Sequence, residues 1–99
     1  EWIKITYGNK GIGVSCLCPQ AVRTAMTAQG AGVAGVDGMI EADEAAADVL
    51  DAIENERFLV TPHAEVLEYV SRKGNDRDRW ITGMQRLQER FEDWKPGDS

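Results

Sequence analysis

Four features of this chain have residue types that do chemistry. They are a Cys-x-Cys pair at Cys16 and Cys18, a lone histidine at His63, a run of carboxylates between residues 41 and 56, and the short polar loop after Pro19. A thiol pair suggests metal or redox work. On a strand, however, Cys16 and Cys18 point to the same face and lie too far apart along it for an easy disulfide. One histidine does not complete a metal site around them, so small buried thiols in a reducing compartment are expected, with no metal. The carboxylates lack the glycine and the oxygen-ligand spacing of a calcium loop, and they are read as one solvated helix face. His63 stands beside Pro62 at the mouth of a helix. No Ser or Cys nucleophile has a context that would use it, so a capping or surface role is expected and no catalytic residue is assigned.

The loop after Pro19 stands out because of what precedes it. Residues 12–18 are almost wholly apolar or small and show no alternation, which predicts a strand buried on both faces in a parallel sheet. Pro19 has no N–H for the ladder and ends the strand. Residues 20–24 then occupy the carboxyl end of a buried parallel strand, the position where doubly wound sheets bind ligands. Before this strand, residues 1–7 look helical, with Trp2, Ile3 and Tyr7 as a partial apolar face and no N-cap. Gly8 suits a left-handed C′ position there, Lys10 faces the negative end of the helix dipole, and Gly11 turns the chain into the strand. A helix feeding a buried parallel strand in this way is half of a βαβ unit.

Downstream, residues 27–38 (TAQGAGVAGVDG) are too small-sided for a core and too glycine-rich for a stable helix, leaving a connector or a lid. A helix is predicted over 41–54, with Ala46, Val49, Leu50 and Ile53 as one buried stripe and Asp43 and Glu44 at its positive end. Residues 55–57 turn the chain and 58–61 form a second short apolar strand stopped by Pro62. A helix over 64–73 follows, with Leu67 and Val70 as an apolar pair. Gly74, Asn75 and Asp76 interrupt the pattern before a last helix over 78–94. In that helix Trp80, Met84, Leu87, Phe91 and Trp94 recur at 4, 3, 4, 3, a heptad seam within a strongly charged remainder.

The strand GIGVSCLCP at 11–19, followed by Val22-x-Thr24, resembles the C-terminal part of a short-chain dehydrogenase/reductase. The order of the remaining pieces is similar too: a helix end, a small-residue loop, an Ala-rich helix, the strand FLVTP and a last helix. The resemblance implies an α/β fold, the C-terminal portion of a Rossmann-type doubly wound parallel sheet with two strands and about four helices. It divides the chain into a helix end, buried strand and cofactor loop at 1–26 and a substrate lid at 27–40. A helix, edge strand and helix at 41–73 and a C-terminal helix at 74–99 complete it. It also implies that Pro19, Gln20, Val22 and Thr24 bind NAD or NADP, that Met26 meets an alcohol or ketone substrate, and that 58–61 is the last strand at the sheet edge. A backbone N–H, a carbonyl and the Thr24 hydroxyl together suit a planar carboxamide. Gln20 stands where the family commonly has Gly, which puts a longer side chain beside the ring and tests whether the turn needs φ > 0. Thr24 has a structural alternative, as N-cap of a short helix beginning at Ala25.

The glycine-rich dinucleotide turn, the catalytic Ser and the Tyr-x-x-x-Lys pair of that family have no counterpart in these 99 residues. The expectation is therefore a piece of a cytoplasmic NAD(P)-dependent oxidoreductase, inactive by itself. The alternative is a standalone, non-enzymatic α/β interaction module that oligomerises. A net charge of −6 argues against nucleic acid or an anionic membrane surface as the partner. No stretch approaches the roughly 20 apolar residues of a membrane span, and no signal peptide is seen. The aromatic seam of the last helix and the edge strand point to a homodimer or homotetramer.

Overall fold

Two pairs of short parallel strands, set end to end along the chain's course, frame the molecule. The computed structural model describes residues 1–97. In it β1 (Cys16–Leu17) pairs with β4 (Leu59–Val60), with Cys16 opposite Leu59 and Leu17 opposite Val60. A second pair joins β2 (Val22–Arg23) to β3 (Ile40–Glu41), with Val22 opposite Ile40 and Arg23 opposite Glu41. The helices are α1 (Trp2–Tyr7), α2 (Ala42–Glu54), α3 (Glu65–Asn75) and α4 (Arg77–Arg90). The chain is thus mixed α/β, with four α-helices and two two-stranded parallel sheets among the described residues. The last two residues of the 74–99 segment, Asp98 and Ser99, lie outside them.

Local chemistry explains the connections. Parallel strands need a crossover, and α2 supplies it, leaving β3 without a loop and packing on β2, β3 and β4. Asp43 and Glu44 occupy its first turn, where the helix dipole favours carboxylates. At its other end the Asn55 side-chain amide donates to the Asp51 carbonyl at 2.9 Å. Glu56 takes a left-handed φ of 55°, and the Arg57 N–H reaches back to the Ala52 carbonyl at 2.8 Å. That hairpin delivers residue 58 to β1. The Cys16 N–H donates to Phe58 O at 2.7 Å, the Cys18 N–H donates to Val60 O at 2.9 Å, and the Ser15 hydroxyl donates to Arg57 O at 2.7 Å. Ala45 and Ala52, both buried, let α2 approach the strands closely, and Val60 beneath them is fully buried.

Several expectations are corrected. Only Cys16 and Leu17 of residues 12–18 join a ladder, and neither is buried, because β1 has a neighbour on one side alone. The face of α2 turned inward is Ala45, Val49 and Ala52, one residue out of phase with the expected stripe. Ala46, Leu50 and Ile53 face outward, Leu50 being 68 % exposed. In α3 the half-buried residues are Val66 and Tyr69, while Leu67 and Val70 are exposed. In α2 the smaller inward residues win because the strands beneath are short and leave no deep hydrophobic floor for a Leu or Ile. In α3, by contrast, Tyr69 turns inward and its hydroxyl reaches Asp37. Gly8 is right-handed, and the left-handed turn falls on Gly11 (φ 84°), after a 3-10 turn at Gly8–Lys10 extends α1. Gly74 and Asn75 continue α3, so the break before α4 is Asp76 alone, whose carboxylate accepts from the Arg79 N–H at 3.1 Å as an N-cap. The last helix ends at Arg90, and Trp94 lies beyond it.

The segment 27–40 carries more order than a connector. A 3-10 turn at Ala25–Thr27, another at Gly32–Gly35 and strand β3 occupy it and its entrance. Ala21 donates its N–H to Ala34 O at 3.0 Å and accepts from the Ile40 N–H at 3.2 Å. No helix among the described residues is long and apolar enough to cross a membrane. Val60 is the largest fully buried side chain, so Val60→Ala should remove about 1–3 kcal/mol of stability, read as a lower urea midpoint at unchanged slope. A midpoint within error of the parent would mean that β4 is not the floor of the core.

Candidate ligand cleft at the carboxyl ends of the strands

Parallel pairing sets the carboxyl ends of β1 and β4 side by side, so the residues following each strand meet. After β1 come Cys18, Pro19 and Gln20, and after β4 come Thr61, Pro62 and His63. Both prolines end their strands, as a residue without an N–H must. Next to this junction β2 begins, and a cleft of about 400 Å³ opens along it. Gln20, Val22, Thr24 and Met26 line it together with Trp94 from the C-terminal tail. Four of the five residues singled out for cofactor and substrate therefore share one wall. Pro19 is not on it and acts only as the exposed turn residue before Gln20.

Each lining residue is held by a neighbour. Among the described non-glycine residues only Glu56 has a positive φ, so the turn at Gln20 is made without the glycine conformation and without its strain. The Gln20 N–H donates to His63 Nδ1 at 3.0 Å. The Val22 carbonyl accepts from the Thr27 hydroxyl at 2.6 Å, and the same oxygen of Thr27 accepts from the Thr24 N–H at 3.0 Å. Thr24 is thus the N-cap of the Ala25–Thr27 turn, the structural alternative considered for it. An N-cap hydroxyl still has its own proton to donate, so capping does not exhaust Thr24. Met26 is 92 % exposed at the rim. Arg23 pairs with Glu41 at 2.8 Å on the outer side, in solvent, and adds little.

The far wall comes from the 27–40 segment and the tail. A Cβ placed on Gly32 would lie 3.3 Å from the Trp94 ring, and Gly32 has φ 57°, so both space and backbone call for glycine there. Tyr69 of α3 donates to Asp37 Oδ1 at 2.6 Å. That bond to a carboxylate, with some burial, pushes the Tyr69 phenol above its ordinary range.

His63 corrects the expectation of a capping or surface side chain. It is 3 % exposed, the one buried polar residue among those described, and both ring nitrogens are engaged. A signal existed in the sequence. If 58–61 and 12–18 are parallel neighbours, the residue after Pro62 must come to rest beside the residue after Pro19.

The thiols are corrected too. Cys16 is exposed and Cys18 half-buried, although they do share a face as expected, with their sulfurs 3.8 Å apart. No group of three or more possible metal ligands exists among the described residues. Partial burial first, then the hydrogen bond and charge of Cys16, push the Cys18 thiol up. A raised thiol pKa leaves less thiolate at any given pH, so alkylation of Cys18 should lag that of Cys16 and rise only at higher pH. Cys16→Ser should move the Cys18 rate profile back toward lower pH. Equal rates for the two thiols at pH 7–9, followed by mass spectrometry of the labelled peptides, would contradict this.

No protein-family model matches this chain, and neither a curated protein nor a solved structure matches it.

Proposed function

We propose that this chain is the cofactor-loop and C-terminal portion of a cytoplasmic, Rossmann-type NAD(P)-dependent oxidoreductase resembling the short-chain dehydrogenases/reductases. The observation that carries the proposal is the convergence of Gln20, Val22, Thr24 and Met26 on one cleft at the carboxyl ends of parallel strands. That is where α/β sheets bind ligands. The nicotinamide, when bound, supplies the hydride exchanged with an alcohol or ketone. The chain's own part is to hold and orient. The Thr24 hydroxyl and the Val22 backbone would hold the carboxamide, and Met26 at the rim would meet the alcohol or ketone. Fixing the amide fixes which ring face meets the substrate. No residue of the cleft is placed as an acid or base, and the chemistry of proton transfer belongs to residues outside this chain.

Losing one hydrogen bond to a neutral amide costs ~0.5–1.5 kcal/mol, so Thr24→Val should weaken NADH or NADPH binding by up to about tenfold. Calorimetric titration with either cofactor reads this directly. Unchanged affinity would remove Thr24 from the site. The 99 residues alone should not oxidise an alcohol or reduce a ketone with either cofactor, and turnover by them would overturn this part of the proposal.

On the same reading the chain assembles as a homodimer or homotetramer through α4. Met84 and Ile81 are exposed there, along a shallow groove between Trp80 and Gln88. Trp80 itself is partly covered by Lys73, whose ammonium lies 4.6 Å from the ring centre. Removing residues 78–99 should lower the mass measured by light scattering, and a truncated chain of undiminished subunit number would refute it.

A further inference from the structure

We infer that His63 is a positioning residue. Held as the Nε2–H tautomer, it sets the Gln20 turn and the end of the 27–40 segment together, and so fixes the shape of the cleft from behind. The ligand half of this inference rests on the nicotinamide-binding role proposed above.

The hydrogen bonds assign the tautomer. The Gln20 N–H can only donate, so His63 Nδ1, 3.0 Å away, must be the unprotonated nitrogen. The Gly38 carbonyl can only accept, so Nε2, 3.2 Å away, carries the proton. One neutral ring thereby satisfies one donor and one acceptor, and only one arrangement of its proton does so. His63 is 3 % exposed, while Gln20 is half-buried and Gly38 exposed, so it is the two ring nitrogens that would be left without a partner if their bonds broke. A buried polar ring atom without a partner is costly, which is the force that keeps the imidazole on Gln20 and Gly38.

What the ring joins gives it a role beyond local satisfaction. Gln20 begins the cleft wall, two residues before Val22. Gly38 ends the opposite segment, two residues before Ile40, which pairs with Val22. His63 itself follows β4 and leads into α3, where the Tyr69 hydroxyl holds Asp37, next to Gly38. Two side chains from one stretch thus anchor the same end of the 27–40 segment, and His63 alone also reaches the cofactor loop. His63 does not line the cleft. Its effect on a ligand must pass through the backbone of Gln20.

The test uses the complete chain, labelled with ¹⁵N, and three variants. In His63→Leu both bonds are lost. In His63→Asn the amide oxygen stands where Nδ1 stood and keeps the Gln20 bond. In His63→Gln the longer amide reaches toward Gly38 and loses it. A long-range ¹H–¹⁵N correlation of the imidazole should report the Nε2–H tautomer. Amide exchange at Gln20 should accelerate at least tenfold in His63→Leu and His63→Gln, and stay within threefold of the parent in His63→Asn. Affinity for NADH or NADPH should fall fivefold or more in the first two and be restored in the third. An Nδ1–H tautomer would overturn the inference, and so would equal Gln20 exchange in the Asn and Gln variants, a comparison that survives if the Leu variant fails to fold. Equal cofactor affinity in all variants despite altered exchange would also overturn it. If the parent binds neither cofactor while Gln20 exchange follows the expected pattern, the nicotinamide role falls and the positioning of the loop by His63 stands.

Discussion

A backbone amide that has left a β-ladder and is partly shielded from water still needs an acceptor, and here that need is met by one imidazole. Pro19 and Pro62 end their strands at the same end of the sheet, and each releases the chain into a region where the ladder no longer provides partners. The Gln20 N–H is the group stranded by this geometry. His63, delivered to the same place by the second proline, accepts from it and passes the constraint to Gly38. The loop after Pro19, the end of β4 and the end of the 27–40 segment are joined by those two bonds. The second sheet, β2 with β3, then forms next to this junction because residues 20 and 38 are held within a few residues of the pairing between Val22 and Ile40.

The same constraint changes what the glycine-rich segment can do. Its composition suggests a freely closing lid, and its backbone has the small residues that a lid needs. Yet it is tied along its length: at Thr27 to Val22, at Ala34 to Ala21, at Gly32 against Trp94, at Asp37 to Tyr69, and at Gly38 to His63. Opening the whole segment would break several backbone bonds at once. Gln29 is tied as well, its carbonyl accepting from the Gly97 N–H at 2.5 Å. Motion that admits a ligand is therefore confined to side chains at the rim, such as the exposed Met26. The cleft is shaped by fixed walls with a yielding rim.

How much of this was legible in the sequence depends on whether a residue's fate is decided locally. The two strand stops, the crossover helix, the turn after it and the loop at the carboxyl end follow from proline, from 3.6-residue periodicity and from the rule that parallel strands need a crossover. Four of the five residues singled out after the strand share the cleft because they sit within a few positions of Pro19. Burial was less accessible. The 46–49–50–53 stripe has the larger side chains, but the strands under α2 are two residues long, and a short floor is better covered by Ala45 and Ala52 lying close than by Leu50 held away. Cys16 reads as core when the strand is assumed to have two neighbours, and it has one. His63 was missed because a histidine was weighed by what it could catalyse, whereas its place is set by a partner 43 residues away. Tyr69 and Asp37, 32 apart, escaped for the same reason.

The distribution of apolar surface follows from the same shortness of the strands. Trp2, Ile5, Leu50, Ile53, Leu67 and Val70 all lie largely outside, while the residues packed between helix and sheet are mostly alanines. The radius of gyration is 16.0 Å, against about 13 Å for a compact chain of about 100 residues, and the smallest dimension is 18 Å. That thickness holds one helix layer on one strand layer and no second helix layer. A doubly wound sheet covers both faces, and its strands carry long apolar runs for that reason. Residues 12–18 have such a run but find only β4 beside them, so the composition of the strand exceeds what this packing uses. The outward faces of α2 and α3 show the same surplus. Sequence and packing agree at the cleft, where His63, Thr27 and Trp94 over-determine the backbone, and diverge on the outer faces, where side chains suited to a core meet solvent. Order in this chain is therefore concentrated at the carboxyl ends of its strands, in hydrogen bonds more than in buried area.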